Sequence, residues 1–263
     1  MMEEKASVKR ERAFELDFLR GAALFLMILM HFSYDIRYIF RFNAFSYLDS
    51  TWFWVFIEPM FLCIFVGISG VCCNFSRNIV KRAVKLLGVA LFVTFATYIA
   101  TNYMNIDCLI IFNVLHVLAC SMLLYALIRF IENKAKIDPK VMSVFLALFG
   151  LWSTQVGHQI TRYDSQVTTR LLIPLGITGT NCMFMGDYMP FFPWVGVFLI
   201  GTVVGRHCYA GKSTLFPNAP SGFRKFSKPF EFLGRHSLII YIVHQPIVLA
   251  LTYAVVFIVT KVC

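Results

Sequence analysis

The sequence predicts an all-α membrane protein, a polytopic bundle of about seven transmembrane helices. The chain has 263 residues, of which 59% are hydrophobic and only 14% are charged. Charged residues make up about a quarter of an ordinary soluble domain, so a soluble fold could not cover this much apolar surface. Apolar runs near twenty residues recur along the chain, and a helix of that length crosses roughly 30 Å of hydrocarbon.

The apolar runs give the predicted spans in chain order. We place them at residues 15–38, 51–74, 82–102, 108–130, 139–157, 190–209 and 236–259. We expect the whole chain, 1–263, to form one domain. Its polar parts are then a tail at 1–14, a long outer segment at 158–189 and a basic cytoplasmic loop at 206–235.

Basic residues divide unequally between the two sides of these spans. Eighteen of the 24 Lys and Arg lie on the side of the N-terminus, five lie on the other side, and Arg20 lies within the first span. The positive-inside rule therefore places the N-terminus in the cytoplasm and the C-terminus outside. We expect the protein to lie in the plasma membrane. Orientation alone explains the net charge of +10, so we expect no nucleic-acid partner.

Two connections are not simple. The apolar middle of 158–189, residues 171–186, is interrupted by Gly and is too short for a confident span. An interfacial or re-entrant piece fits it, and long connections are often functional. The loop 206–235 is rich in Pro, Gly and basic residues, which is compatible with an ordered loop or with a flexible linker.

Ionisable residues interrupt the first span, "LRGAALFLMILMHFSYD". Arg20 and His31 are eleven residues apart, so they share one helix face about 16 Å apart along the axis. Asp17 and Asp35 extend this polar seam by the i,i+3 and i,i+4 rule. The seam could be structural, with an Asp17–Arg20 ion pair. Ionisable groups in a membrane usually mark function, however, because hydrocarbon selects against them.

Two later spans carry polar residues of the same kind. Asn113 and His116 share a face, and Tyr241 and His244 share another. The three histidines could converge on one cavity, or each could make a structural interhelical hydrogen bond. The Cys and His positions show no metal-ligand spacing, so we expect no metal. A histidine suits proton abstraction near neutral pH, and a carboxylate one turn away, such as Asp35, can fix its tautomer.

At these residues the sequence resembles known families. "ELDFLRGAALFLMILMHFSYD" resembles the opening of the transmembrane acyltransferases, whose mark is Arg, ten residues and His. Four further stretches resemble the bacterial relatives of heparan-α-glucosaminide N-acetyltransferase: "IFVGISG" (64–70), "IIFNVLH" (110–116), "DYMPFFPWVGVFLIG" (187–201) and "GRHSLIIYIVHQP" (234–246). The resemblance runs from Glu15 to Pro246.

The resemblance implies an enzyme that moves an acetyl group from cytoplasmic acetyl-CoA to an extracytoplasmic amine or hydroxyl, on a sugar or glycan. It implies His31 as the catalytic base, and Asp35, one helical turn away, is the carboxylate placed to assist it. Two further sets of candidates follow. The donor candidates are Arg20, Asp17, Arg77, Lys81 and Arg82. The candidates for orienting the acceptor or stabilising an oxyanion are Asn113, His116, Tyr241 and His244.

One departure separates this chain from the lysosomal branch of that family. There, the position that matches His31 is asparagine, and the working histidine lies in the following luminal loop. Here, the stretch 37–51 contains no histidine, so that role cannot be transferred to it. His31 takes the role only through the Arg…His pattern, which makes acetyl transfer the firmer expectation and glucosamine the weaker one.

Two other classes of function fit the same residues. A proton-coupled transporter of small solutes would also carry intramembrane histidines, although the internal repeat of many transporter folds is missing. A non-catalytic membrane scaffold would use them as structural contacts. Acetyl-CoA binding separates the enzyme from both. Seven spans are compatible with a monomer and with a homodimer.

Overall fold

The structure is a computed structural model that describes residues 12–104, 108–160, 170–178 and 187–262. These residues are helical wherever they are regular, and none of them lies in a strand. The described residues form eight α-helices: α1 (Phe14–Tyr34), α2 (Glu58–Cys73), α3 (Ile79–Met104), α4 (Val114–Lys134), α5 (Pro139–Ile160), α6 (Phe191–His207), α7 (Ser221–Arg235) and α8 (Ser237–Val262). The predicted all-α class is confirmed.

The span prediction is also confirmed. Six helical segments in the described residues are long and apolar enough to cross a membrane, and α6 is a shorter apolar helix. A π-helix at Asp35–Ile39 extends α1, and another at Phe53–Ile57 leads into α2. The fourth span begins at Val114, six residues later than predicted. Asn113 has extended backbone geometry and its side chain accepts a hydrogen bond from the Leu115 N–H, so it caps the helix.

The chain divides into two compact units. One contains residues 1–65 and 208–263, and the other contains residues 66–207. The first unit therefore joins the beginning and the end of the chain, whereas the second is continuous in sequence. Whether the two units act as the single predicted domain remains a prediction.

Glycines bring helices close together in the unit of residues 66–207. A Cβ on Gly70 would overlap the Phe198 carbonyl, and one on Gly201 would overlap the Gly67 carbonyl, so α2 and α6 touch at backbone distance. Small residues at such contacts are typical of membrane helices, because close packing replaces the hydrophobic effect there.

A buried ion pair joins α4 to α6 in the same unit. Arg206 donates two hydrogen bonds to the Glu132 carboxylate, at 2.8 and 2.7 Å, and a third to the Tyr125 hydroxyl at 3.1 Å. The Tyr125 hydroxyl donates in turn to Asn74, whose amide reaches the Thr202 carbonyl. The network satisfies groups that would be costly to bury alone.

The segment 206–235 is not a loop throughout, because α7 occupies Ser221–Arg235. The loop-or-linker prediction is wrong for these residues. The Pro, Gly and basic residues of this segment suggested a loop, but Phe223, Phe226 and Phe230 recur at intervals of three and four residues, which is the spacing of one helix face. The helix packs against α1, where Cβ atoms on Gly21 and Gly234 would each overlap a backbone carbonyl of the other helix.

The outer segment 158–189 is described only in part. Residues 158–160 complete α5, a 3-10 helix covers Arg170–Leu175, and the Tyr188 hydroxyl donates to the Ile173 carbonyl at 2.6 Å. Half of the piece for which a re-entrant path was considered, residues 179–186, lies outside the described residues, as do residues 161–169.

Candidate active site

The unit of residues 1–65 and 208–263 brings two of the three candidate histidines together. His31 on α1 and His244 on α8 have ring centroids 5.1 Å apart, with the ring planes tilted by 49°. His31 is half-buried and His244 is buried. The Tyr241 ring lies 5.5 Å from that of His244 and is also buried. Two imidazoles in contact within a membrane helix pair can accept and pass a proton.

The hydrogen bonds of His244 define its tautomer. Its Nδ1 lies 2.6 Å from the Tyr241 carbonyl oxygen. Because a carbonyl oxygen only accepts, Nδ1 must carry the proton and donate it. In the neutral ring, Nε2 is then the basic nitrogen. The backbone of α8 therefore fixes which nitrogen of His244 is available for chemistry.

Asp35 lies one turn beyond His31 and bonds to a different partner from the one expected. Its carboxylate is fully buried and accepts from the Gln245 amide, at 3.2 Å to Oδ1 and 3.4 Å to Oδ2. Within the described residues no hydrogen bond joins it to His31. Side chains one turn apart on a helix run side by side, so a neighbouring helix competes well for the carboxylate. Asp35 and Gln245 thus form a second contact between α1 and α8, next to the histidine pair.

Asp17 also has partners other than the predicted Arg20. It pairs with Arg12 at 2.7 Å and with Arg235, at the end of α7, at 3.5 Å. The suggested Asp17–Arg20 ion pair is therefore wrong. Because the end of α7 crosses α1 at this level, its arginine reaches the carboxylate.

Two donor nitrogens of the Arg20 guanidinium lack an acceptor among the described residues. Its Nε and Nη2 are buried and have no hydrogen-bond partner among the described residues. Leu24 and Met27 lie between Arg20 and His31 on the same face and are buried. Arg20 and His31 therefore share a helix face, as predicted, but the apolar side chains of Leu24 and Met27 interrupt the polar seam between them.

Asn113 and His116 lie in the other unit, at the start of α4. They form a capping box in which the Asn113 N–H donates to His116 Nδ1 at 3.3 Å. The other ring nitrogen, Nε2, is 3.3 Å from the Thr94 hydroxyl, and the ring stacks on Phe112. Both ring nitrogens of His116 therefore have hydrogen-bond partners in the fold, which indicates a structural role for this residue.

The donor candidates Arg77, Lys81 and Arg82 lie in the turn before α3 and in its first residues. Arg77 and Lys81 are exposed, and Arg82 is half-buried. The Asn78 side chain accepts from the Lys81 N–H at 2.9 Å, which caps the helix. Basic side chains at a helix N-terminus suit a phosphate.

Sequence reasoning missed Gln245, although the stretch "IVHQP" contains it directly after His244. A buried carboxylate in a span requires a donor, and an amide on another candidate helix could have been proposed from that requirement. It also missed the Glu132–Arg206 pair, because both residues sit near helix ends, where charge is expected.

A model of the catalytic domain of heparan-alpha-glucosaminide N-acetyltransferase matches residues 12–246, which is most of the chain. The match includes α1 to α7 and the part of α8 that carries Tyr241, His244 and Gln245. No curated protein and no solved structure matches significantly.

Proposed function

The chain belongs to the heparan-alpha-glucosaminide N-acetyltransferase catalytic family, and from that premise we propose that it transfers an acetyl group from acetyl-CoA to an acceptor across the membrane. The family supports a multi-pass membrane acetyltransferase. The acetyl-CoA donor, its cytoplasmic binding and an extracytoplasmic amine or hydroxyl of a sugar as acceptor belong to the proposal. So do a plasma-membrane location and a cytoplasmic N-terminus, of which the second follows from the distribution of basic residues.

The observation that carries the proposal is the contact between His31 and His244. We assign His31 as the general base. It removes the proton from the acceptor N–H or O–H as that atom attacks the thioester carbonyl carbon. A new C–N or C–O bond forms, the C–S bond breaks, and the proton passes from the histidine to the CoA sulfur, which leaves as the thiol. General base catalysis of this kind contributes typically 10²–10⁴-fold.

His244 is the positioning partner in this scheme. Its Nδ1–H is held by the Tyr241 carbonyl, so its basic nitrogen has a fixed direction. A ring held in this way can orient the imidazole of His31 beside it. The proposal leaves Asn113 and His116 out of the reacting set, because the helix cap and Thr94 account for their polar atoms.

Arg20 is the donor-binding residue in the proposal. A guanidinium with two buried donor nitrogens that have no partner attracts an anion, and CoA carries phosphates. The basic residues Arg77, Lys81 and Arg82 at the start of α3 offer a second set of phosphate ligands. Asp17 acts through Arg12 and Arg235 and shapes the helix end, rather than binding the donor itself.

The test uses purified protein, labelled acetyl-CoA and a panel of amino sugars and glycans. We expect His31→Ala to lower kcat by about 10²–10⁴-fold with little change in acetyl-CoA affinity. Arg20→Ala should weaken acetyl-CoA binding instead. His207→Ala is the matched control, because this histidine is exposed at the end of α6.

Three outcomes would contradict the proposal. If His31→Ala destroys acetyl-CoA binding and transfer together, His31 is a binding or folding residue. If Arg20→Ala leaves the affinity for acetyl-CoA unchanged, Arg20 is not on the donor path. If the unmodified protein does not bind acetyl-CoA, a proton-coupled transporter that uses the histidine pair becomes the better reading.

A further inference from the structure

The helix α7 presents three different sides, which follow from 100° of rotation per residue. Its buried face consists of Ser227, Glu231 and Gly234. One neighbouring side, which we call the apolar flank, consists of Phe223, Phe226, Phe230 and Leu233. The opposite side, which we call the basic flank, carries Arg224, Lys225, Lys228 and Arg235, with the exposed ring of Phe232 among them.

The buried face fixes α7 to the beginning of α1. Gly234 and Gly21 allow backbone contact between the two helices, and Arg235 reaches Asp17. On the buried face, Glu231 accepts from the Ser227 hydroxyl at 2.6 Å. The helix therefore lies at the level where the first span begins.

The apolar flank exposes large aromatic side chains. Phe226 is 60% exposed and Phe223 is 42% exposed, although both rings also contact Phe18 of α1. Beside this flank lies a cavity of about 570 Å³ whose walls include Phe18, Phe216 and Phe223. A water-facing surface of this kind would be unfavourable, so the apolar flank and the cavity suit hydrocarbon chains.

The basic flank carries charge that the chain itself does not neutralise. Glu231 pairs with Arg224 at 3.4 Å and with Arg235 at 2.9 Å. Lys225 and Lys228 are exposed and have no ion-pair partner among the described residues. Arg235 also pairs with Asp17 at 3.5 Å. Four cations against two carboxylates still leave an excess of positive charge, which is complementary to an anionic surface.

Length and charge prevent α7 from crossing the membrane. It has 15 residues, fewer than the roughly 20 that a span requires, and five of them are Lys, Arg or Glu. A short helix with aromatic residues on one side and Lys and Arg on the other lies in the plane of the membrane interface. Its apolar side then enters the acyl-chain region and its basic side meets the headgroups.

We propose that α7 binds the anionic phospholipids of the leaflet at which α1 begins. Lys225 and Lys228 contact the lipid phosphates, while Phe226, Phe223 and the adjoining cavity accept acyl chains. This surface is separate from the histidine pair, and the proposal does not depend on acetyl transfer. Each Lys near an anionic leaflet strengthens binding by about 1 kcal/mol, which is roughly fivefold.

The test places a reporter on the apolar flank of the full-length protein. Phe226→Trp is introduced, and the protein is reconstituted into vesicles in which either phosphatidylglycerol or phosphatidylcholine carries bromine on its acyl chains. Bromine quenches tryptophan at contact distance. The signal of the four native Trp is removed by subtracting the quenching of the protein that retains Phe226.

We expect brominated phosphatidylglycerol to quench the introduced tryptophan more strongly than brominated phosphatidylcholine at low salt. In the background of Phe226→Trp, Lys225→Gln with Lys228→Gln should reduce this preference by up to about 25-fold, and high salt should have the same effect. The matched control, Lys134→Gln with Lys136→Gln, removes the same charge from exposed positions at the end of α4 and should preserve the preference.

Each remaining outcome would overturn the proposal. Equal quenching by both lipids would mean that the apolar flank touches the bilayer without selecting its charge. Absence of quenching would mean that protein covers this flank. A second titration measures acetyl-CoA affinity in the same variants. If Lys225→Gln with Lys228→Gln weakens acetyl-CoA binding and leaves the lipid preference intact, these lysines belong to the donor site.

Discussion

The contact between Asp35 and Gln245 offers a quantitative test of how α1 and α8 are held together. Asp35 is fully buried, and within the described residues Gln245 is the donor to its carboxylate. Gln245→Leu preserves the approximate volume of the side chain and removes both hydrogen bonds. We therefore expect it to loosen the helix pair that carries His31 and His244.

The magnitude follows from the two bond lengths. A hydrogen bond to a charged group contributes about 1.5–3 kcal/mol, and its favourable length is about 2.7–2.9 Å. The bonds here measure 3.2 and 3.4 Å, which places them at the lower end of that range. We expect Gln245→Leu to lower the free energy of unfolding by about 1.5 kcal/mol. We also expect it to reduce acetyl transfer, because the rings of His31 and His244 would no longer be held at their observed distance and tilt.

A double-mutant cycle isolates this contact. The free energy of unfolding is measured by denaturing-detergent titration for Asp35→Leu, for Gln245→Leu and for the double variant. The double variant should be less destabilised than the sum of the two singles by about 1.5 kcal/mol, because neither partner is then left unsatisfied. Gln155→Leu is the control, since this glutamine is exposed on α5 and should change stability by no more than about 0.5 kcal/mol.

Additive losses would refute the reasoning. If the coupling energy is below about 0.5 kcal/mol, the two side chains do not hold α1 to α8, and another contact maintains the histidine pair. Normal transfer by Gln245→Leu with the expected loss of stability would separate the two claims. The contact would then be structural and would have no part in positioning the rings.

Three further predictions concern other parts of the chain. Gly234→Ala should destabilise the α1–α7 crossing by about 1–3 kcal/mol in a thermal unfolding assay, whereas Gly222→Ala on the same helix, where a Cβ meets nothing within 4 Å, should be neutral or slightly stabilising. Glu132→Ala should cost about 3–5 kcal/mol because it leaves Arg206 buried without its carboxylate, and adding Arg206→Met should recover most of the loss. The pKa of Asp49 is lowered mainly by its hydrogen bond from Arg37. The charged carboxylate therefore stabilises residues 37–50, and their protection from hydrogen exchange should hold above about pH 4 and fall as the pH is lowered further. Asp49→Asn should give low protection that does not depend on pH.

The spans could be predicted from sequence because hydrocarbon thickness imposes a length and a composition that can be counted. The same criterion could not find α7, whose helical period repeats aromatic residues among basic ones and never forms a long apolar run. The start of α4 at Val114 depends on the Asn113 cap, which is a local hydrogen bond rather than a matter of hydropathy. Hydropathy thus locates the hydrocarbon-crossing parts and says little about what lies at the interface.

The residues of the candidate site could be selected from sequence, but their partners could not. Helix periodicity placed Arg20 and His31 on one face, and that face is observed. Periodicity describes one helix at a time, so it could not choose between His31–His244 contact and separate structural roles. It also assigned Asp17 and Asp35 to neighbours on their own helix, whereas each carboxylate found a donor on a different helix.

The contacts along α1 link the interfacial helix to the histidine pair. Near its start, α1 is held by α7 through Gly21, Gly234 and Arg235, and near its end it is held by α8 through His31 and His244. Gly21 and His31 are ten residues apart, about 15 Å along α1, and His244 lies seven residues, about 10 Å, beyond the start of α8 at Ser237. Only one residue separates α7 from α8. We therefore expect a displacement of α7 along α1 to move the start of α8, and with it the position of His244 relative to His31. The proposed contact of α7 with the membrane surface would in this way bear on the geometry of the histidine pair, through α1 and the junction between α7 and α8.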